Sequence, residues 1–325
     1  MTKFSIMGAL NPHEPVTRAI EFAKVTEDSG FDGFWLWDTW IAKDSYIGLT
    51  LAAMHTKKIF LAPGVAPSPL RHPALLLNTV ATLDDISEGR AILGLGSGGQ
   101  ATAGRLGVRK ARMDQFKRDL QLLKTIIRDG EYTEDSTQYR VESINRPIPI
   151  HVAAWGPRML EVSGGLADGV IIMGPEQKTV MAHKIQKIRE AAKFAGRDAD
   201  KVKIILHATC EYAEDPKFIS DRAKTLVIHH IQRMGYENEY PEKYSEVFRK
   251  VRREVSKIAL PVGPTPGTEL VPDELVKYSL VIGTEEECLE RLRELLSLKP
   301  DEIVFSMGWG DTNKIEKLAR LVSKI

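Results

Sequence analysis

Residues 59–99 read strand, turn, helix, strand, and that order restricts the fold more than any other stretch. Ile59–Val65 is a short apolar run that stops at Gly64 and Val65, just before Pro67 and Pro69. Proline donates no ladder hydrogen bond, so the pair marks a strand end. Pro73–Ser87 sets Leu76, Val80, Leu83 and Ile86 close to helical spacing, with Ser87-Glu88-Gly89 closing it. Ala91–Leu95 is apolar again and runs into Ser97-Gly98-Gly99. Two parallel strands joined by a crossover helix form a βαβ unit, which binds ligands beyond the carboxyl ends of its strands. The Gly64-Val65 turn and the Ser97–Gly99 loop then lie side by side, offering exposed backbone to a flat cofactor.

The same alternation runs through the chain. Strands are expected at Phe4–Gly8, Gly33–Trp37, Ile59–Val65, Ala91–Leu95, Ile148–Ala154, Gly169–Met173, Val202–Cys210 and Asp301–Phe305. Helical patterns separate them, among them Tyr46–His55, Met113–Arg128, Thr179–Gly196 and Thr312–Ile325. Residues 129–147 read as irregular surface chain, with Tyr132, Tyr139 and Val141 in short extended pieces. Buried-type strands alternating with helices argue for a parallel sheet, and eight such units argue for closure into a (β/α)8 TIM barrel. An open doubly wound sheet is the alternative. The whole of 1–325 reads as one domain. Residues 213–280, between strands seven and eight, are too long for one crossover and form a helical insertion. That insertion either roofs the catalytic face or decorates the surface.

Composition removes several function classes. Lys and Arg total 45 against 44 acidic residues, so nothing draws the chain to nucleic acid or anionic membrane. Two cysteines, Cys210 and Cys288, suggest neither a disulfide scaffold nor a thiolate metal site. The eight histidines lack H-x-H or H-x-x-x-H spacing, so no metal is expected. No apolar run is long enough to span a bilayer, and a cytoplasmic protein with a small-molecule substrate is the expectation.

Gly94-Leu95-Gly96-Ser97-Gly98-Gly99 spells the dinucleotide fingerprint G-x-G-x-x-G. A Rossmann turn needs a helix to open at once so that its amides face the pyrophosphate, whereas here no helix is secure before Arg112. The glycines instead permit close approach of main chain to a ring. Ala154-Trp155-Gly156-Pro157 and Gly174-Pro175-Glu176 both follow a strand and precede a helix. Proline suits the first helical turn, and free amides there accept an anion. Trp35 and Trp37 share one face of strand two, with Asp38 at its carboxyl end.

Four segments carry a family resemblance: PGVAPSPLRHPALLLNTVATLDDISEGRAILGLGSG (63–98), IPIHVAAWGPRMLEVSGGLADGVII (148–172), AKVTEDSGFDGFWLWD (23–38) and LVIGTEEECLERLREL (280–295). Together they resemble the luciferase-like flavin and deazaflavin oxidoreductases, most closely the archaeal 5,10-methylenetetrahydromethanopterin reductases. The resemblance implies coenzyme F420 at the barrel mouth and hydride transfer to a small or pterin-like substrate. It also implies a non-prolyl cis peptide at Gly64-Val65 and ring contacts from Ser97 and Gly98. Contacts to the cofactor phosphate and tail would come from Ala154, Trp155, Gly156 and Pro157, then Gly174 and Pro175. Asp38 matches an aspartate that deazaflavin-dependent members usually follow with histidine, where this chain has Thr39. Met7 and Gly99 stand where the methanopterin reductases carry acidic residues. Proton handling then falls to Asp38, Thr39 or His13, with His207 and Glu211 as further candidates, or the substrate needs none. An FMN-dependent monooxygenase and a cofactor-binding barrel without turnover are the alternatives. The family's helices beside strands two and three imply a homodimer.

Overall fold

Strands such as Gly33–Leu36, Leu93–Gly96 and Gly169–Ile172 are buried at every residue, as a sheet covered on both faces requires. The computed structural model describes residues 1–99, 103–213, 219–232, 239–255 and 266–325. In order come β1 (Lys3–Ala9), α1 (Arg18–Asp28), β2 (Gly33–Leu36), α2 (Ser45–His55), β3 (Phe60–Pro63) and β4 (Ala66–Pro67). They are followed by α3 (Pro73–Ile86), β5 (Leu93–Gly96), α4 (Met113–Asp129), β6 (Glu131–Glu134), β7 (Thr137–Arg140) and β8 (Ile150–Ala154). Next are α5 (Pro157–Leu166), β9 (Gly169–Ile172), α6 (Lys178–Phe194), β10 (Lys203–Ala208), β11 (Cys210–Tyr212) and α7 (Asp221–Gln232). The chain ends with α8 (Ser245–Glu254), α9 (Asp273–Ser279), β12 (Val281–Gly283), α10 (Glu285–Leu296), β13 (Glu302–Trp309) and α11 (Thr312–Val322).

The main sheet has nine strands in the order β3-β2-β1-β13-β10-β9-β8-β5-β4, all parallel. β3 and β4 are two halves of one stave, interrupted at Gly64-Val65, and a parallel bridge from Leu61 to Ala91 brings the sheet edges together. The result is an eight-staved (β/α) barrel. Strand three therefore resumes past its turn, with Ala66 and Pro67 pairing to Leu95 and Gly96, where the two prolines suggested a stop.

Alternation along each stave fills the interior. Met7, Trp35, Ala62, Ile171, Ile205 and Val304 pack together inside the barrel. Towards its amino end Trp35 Nε1 donates to Glu302 Oε1 at 3.1 Å. Burial raises the Glu302 carboxyl to about 7 and lowers the buried His151 to about 4, so that imidazole is neutral at physiological pH. With the amino end and middle packed, chemistry belongs at the carboxyl ends of the strands.

Within 129–147 the extended pieces expected at Tyr132 and Tyr139 are strands, and they pair with each other. β6 and β7 pair as an antiparallel hairpin whose turn holds Asp135 and Ser136 at φ +47° and +68°. Two positive φ angles match the right-handed twist of flanking strands, but glycine or asparagine is the usual signal for them.

Between β11 and β12 lie α7, α8 and α9, with a core of their own that includes Val227, Ile231, Phe248, Val251, Leu275 and Val276. β11 and β12 pair in parallel, so the segment leaves and returns at one place. Glu176 pins both stems, because its carboxylate accepts from the N–H of Thr209 (2.6 Å) and of Val281 (2.8 Å). Within the helical insertion expected at 213–280, residues 214–218, 233–238 and 256–265 fall outside the described residues.

Candidate functional site

At the carboxyl end of β2 the ladder continues one residue, with Trp37 N–H donating to Gly8 O at 2.8 Å, and delivers Asp38 to the barrel mouth. The helix that follows is capped by Asp44, whose Oδ1 accepts from the N–H groups of Tyr46 (2.9 Å) and Ile47 (3.0 Å). That cap brings the buried Tyr46 hydroxyl to Asp38 Oδ2 at 3.3 Å. The Arg71 guanidinium stacks over the Tyr46 ring, 4.5 Å from its centroid. Burial pushes the Asp38 carboxyl above its ordinary range, against the pull of the Arg71 cation and the Tyr46 hydroxyl. Beside it, Thr39 Oγ1 is buried and has no hydrogen-bond partner among the described residues.

The next stave carries the backbone feature. The Gly64-Val65 peptide is cis. Gly64 N–H donates to Leu36 O at 2.6 Å, keeping the turn joined to β2. Val65 lies on β5: a Cβ added to Gly96 would sit 2.8 Å from Val65 Cγ2, and one on Gly94 only 2.1 Å from Pro63 O. The glycines are thus what allow the two chain segments to touch. Beyond them the half-buried Ser97 accepts from Ala111 N–H at 3.1 Å, and Gly98 turns at φ +70° against the Pro69 ring. Gly64, Val65, Ser97 and Gly98 therefore form one patch, with Asp38 and Thr39 on the stave next to it.

The opposite side of the mouth differs. Gly156 precedes α5 with Pro157 at its first position, and no side chain caps the helix start. Trp155 packs edge-on against His230 of α7, with ring centroids 5.1 Å apart. Lys184, only 2% exposed, donates to the carbonyls of Trp155 (3.2 Å) and Met173 (2.7 Å) and pairs with Glu239 at 3.0 Å. Burial pulls the Lys184 ammonium below its usual range, against the Glu239 charge, and pushes the Glu239 carboxyl up. Gly174 makes this possible, since at φ +133° a Cβ there would meet Lys184 Nζ at 2.5 Å. Pro175 is buried beside it, so this turn is packed where the α5 turn is open.

The other sequence candidates are dispersed. His13 is exposed on the β1–α1 loop, its backbone N–H held by Asn11 Oδ1 at 3.0 Å, outside the Asp38–Tyr46–Arg71 network. Glu211 is committed to Arg222 and to Ser220 (2.8 Å), and Arg222 also reaches Ser306 O at 3.1 Å. Met7 is buried in the barrel interior, and His207 and Gly99 are half-buried. Sequence reasoning missed Tyr46, Arg71, Lys184 and Glu239. Only the first had a signal, the Asp44 cap that fixes where α2 begins. Among the described residues no cluster of His, Cys, Asp or Glu could hold a metal, and no helix is long and apolar enough to cross a membrane.

A closed parallel (β/α) barrel with main chain and a desolvated carboxylate gathered at its carboxyl face defines the class of protein, one that works on ligands at the strand ends. Comparison makes this specific. The chain belongs to the luciferase-like monooxygenase family, whose sequence profile matches residues 1–302. It is 28% identical over 327 aligned residues to the 5,10-methylenetetrahydromethanopterin reductase of Methanolobus tindarius, covering 96% of each chain. Its fold superposes on the coenzyme F420-dependent tetrahydromethanopterin reductase from Methanopyrus kandleri with a TM-score of 0.78, at 24% identity and 99% coverage of both chains. An F420-dependent secondary alcohol dehydrogenase, solved with an F420–acetone adduct, superposes with a TM-score of 0.76 at 16% identity, over 99% of this chain and 98% of that one.

Proposed function

We propose that this chain is a coenzyme F420-dependent oxidoreductase that moves hydride between the deazaflavin and a small or pterin-like substrate at the barrel mouth. One observation carries the reading: Val65 rests on the glycine main chain of β5 beside a desolvated Asp38 and a buried, unpartnered Thr39 hydroxyl. A buried polar atom without a partner calls for one, and a bound ring with polar edges supplies it. Bare main chain suits a flat face. The residues present therefore fit the cofactor.

When bound, the deazaflavin supplies the two-electron hydride chemistry. The chain supports and orients. Val65, Ser97 and Gly98 form the shelf under the ring, with Gly64 setting the turn. Asp38 accepts a hydrogen bond at the ring edge, and the Thr39 hydroxyl donates to ring or substrate. The amides at Gly156–Arg158, on the uncapped start of α5 after Ala154 and Trp155, face the anionic tail. Gly174 and Pro175 serve this end indirectly, through Lys184. His13 lies outside this assignment.

The segment 213–280 is read as the roof of the same single domain, because His230 packs on Trp155 and Arg222 reaches the end of β13. A homodimer through α2 and α3 is supported by Ile47 (56% exposed) and Met54 (63%) on one helix face and Leu75 (58%) on the neighbouring helix. Sedimentation should show a dimer that Ile47→Asp with Leu75→Asp converts to monomer.

Absorbance titration of the protein with F420 and, separately, with FMN tests the main reading. Saturable F420 binding, followed by turnover with small alcohols or a reduced or oxidised pterin, supports it. Binding of FMN alone points instead to a monooxygenase, and binding without turnover across the panel to a cofactor-holding barrel. Failure of F420 to bind rejects it.

A further inference from the structure

Among the groups around the mouth, those packed on Asp38 form a set whose signs can be worked out. Tyr46 is 7% exposed and donates to Asp38 Oδ2 at 3.3 Å, long for an O–H···O bond. Arg71, on the segment after β4, lies over the Tyr46 ring and reaches Asp44 at 3.9 Å. Asp44, Ser45 and Tyr46 at the start of α2, together with Arg71, are the charged and hydrogen-bonding groups that act on Asp38. We propose that Tyr46 and Arg71 are positioning residues for Asp38, pinning its carboxyl group at the end of β2 for the bound ligand. The proposal rests on the reading of Asp38 as the group that meets the deazaflavin edge.

The physical case is a balance. Desolvation favours the neutral acid, which would offer a proton where an acceptor is needed. The Arg71 cation and the Tyr46 hydroxyl oppose it, and Asp44 works against them as a like charge. The Arg71 charge comes first among the favourable influences, ahead of the hydroxyls of Tyr46 and Ser45, in keeping with the long Tyr46 bond. The stacking matters because the ring fixes the guanidinium while the hydroxyl fixes the carboxylate. One side chain thus aligns both charges.

The three substitutions differ in sign. Arg71→Gln removes a cation and raises the Asp38 midpoint. Tyr46→Phe keeps the ring under Arg71, removes only the hydroxyl, and raises the midpoint by less. Asp44→Asn retains a competent helix cap, removes a like charge, and lowers the midpoint. Carboxyl 13C NMR of cofactor-free protein labelled at aspartate, with the Asp38 signal assigned by Asp38→Asn, reads all three directly. Binding provides the second readout: F420 affinity at neutral pH falls on the order of tenfold in Arg71→Gln and less in Tyr46→Phe.

A purely structural role would alter melting temperatures without moving the midpoints in opposite directions. Midpoints unmoved in both Arg71→Gln and Tyr46→Phe, or an upward shift in Asp44→Asn, overturn the proposal. So do shifted midpoints with unchanged F420 affinity. If Arg71→Gln does not fold, the opposed signs of Tyr46→Phe and Asp44→Asn still decide. Wild-type protein that does not bind F420, with the cofactor-free titrations moving as stated, overturns instead the reading of Asp38 as a deazaflavin contact.

Discussion

Two carboxylates at the strand carboxyl ends are desolvated, and they are treated in opposite ways. Glu176, on the β9 side, is fully buried and accepts from the backbone N–H groups of Thr209 and Val281, on either side of the α7–α9 segment. Asp38, on the β2 side, has one long side-chain bond from Tyr46 and stands next to an unpartnered hydroxyl. Lys184 repeats the first pattern, with both strand-end carbonyls and Glu239 arranged around its ammonium. The difference separates function from architecture. Glu176 and Lys184 are met by the chain and tie its segments together, whereas Asp38 and Thr39 are left short at the mouth, as the proposed ligand site requires.

The largest expected effect falls on the locked side. Glu176→Leu leaves two buried N–H groups without acceptors and should cost on the order of 3 kcal/mol, read by chemical denaturation. A loss below about 1 kcal/mol would show that the stems do not depend on it.

Glu302 tests the same logic at the amino end through pH. Its folded value of about 7 lies above the ordinary 4.5, so its favourable contribution is complete below about 4.5 and is lost as pH rises through about 7. The stability of wild type relative to Glu302→Gln should fall by about 2 kcal/mol between pH 5 and 8. A pH-independent difference would contradict the assignment.

On the open side, Gly96→Val drives a branched side chain into Val65 Cγ2 and should cost about 2 kcal/mol, with loss of F420 binding. Smallest in stability, and most telling, is Thr39→Val. Removing a buried hydroxyl that has no partner should leave stability within about 1 kcal/mol or raise it. Cofactor affinity or turnover should nonetheless drop severalfold. A large stability loss with intact binding would place Thr39 among the locks.

Much of the barrel was legible because buried parallel strands read as apolar runs with turn residues at each end. The crossover at 59–99 and the glycines of β5 could be read from residue type alone. The cis Gly64-Val65 turn came from family likeness, since nothing local calls for it. The extended pieces at Tyr132 and Tyr139 were legible, but their pairing as the β6–β7 hairpin was not, because Asp135-Ser136 occupies a turn that glycine usually marks. Lys184 and Glu239 lie 55 positions apart in the chain and meet only through tertiary packing, with Gly174 leaving the room. Glu302 opens a strand yet turns into the barrel, where Trp35 receives it, and no spacing rule announces that.

The most direct measurement is a structure of the protein bound to coenzyme F420. The account predicts the deazaflavin ring in van der Waals contact, roughly 4 Å, with Val65 and with the Gly96-Ser97 main chain, and Asp38 and Thr39 at its polar edge. A ring seated between Lys184 and Glu239, or held outside the barrel mouth with Thr39 still unpartnered, would contradict it.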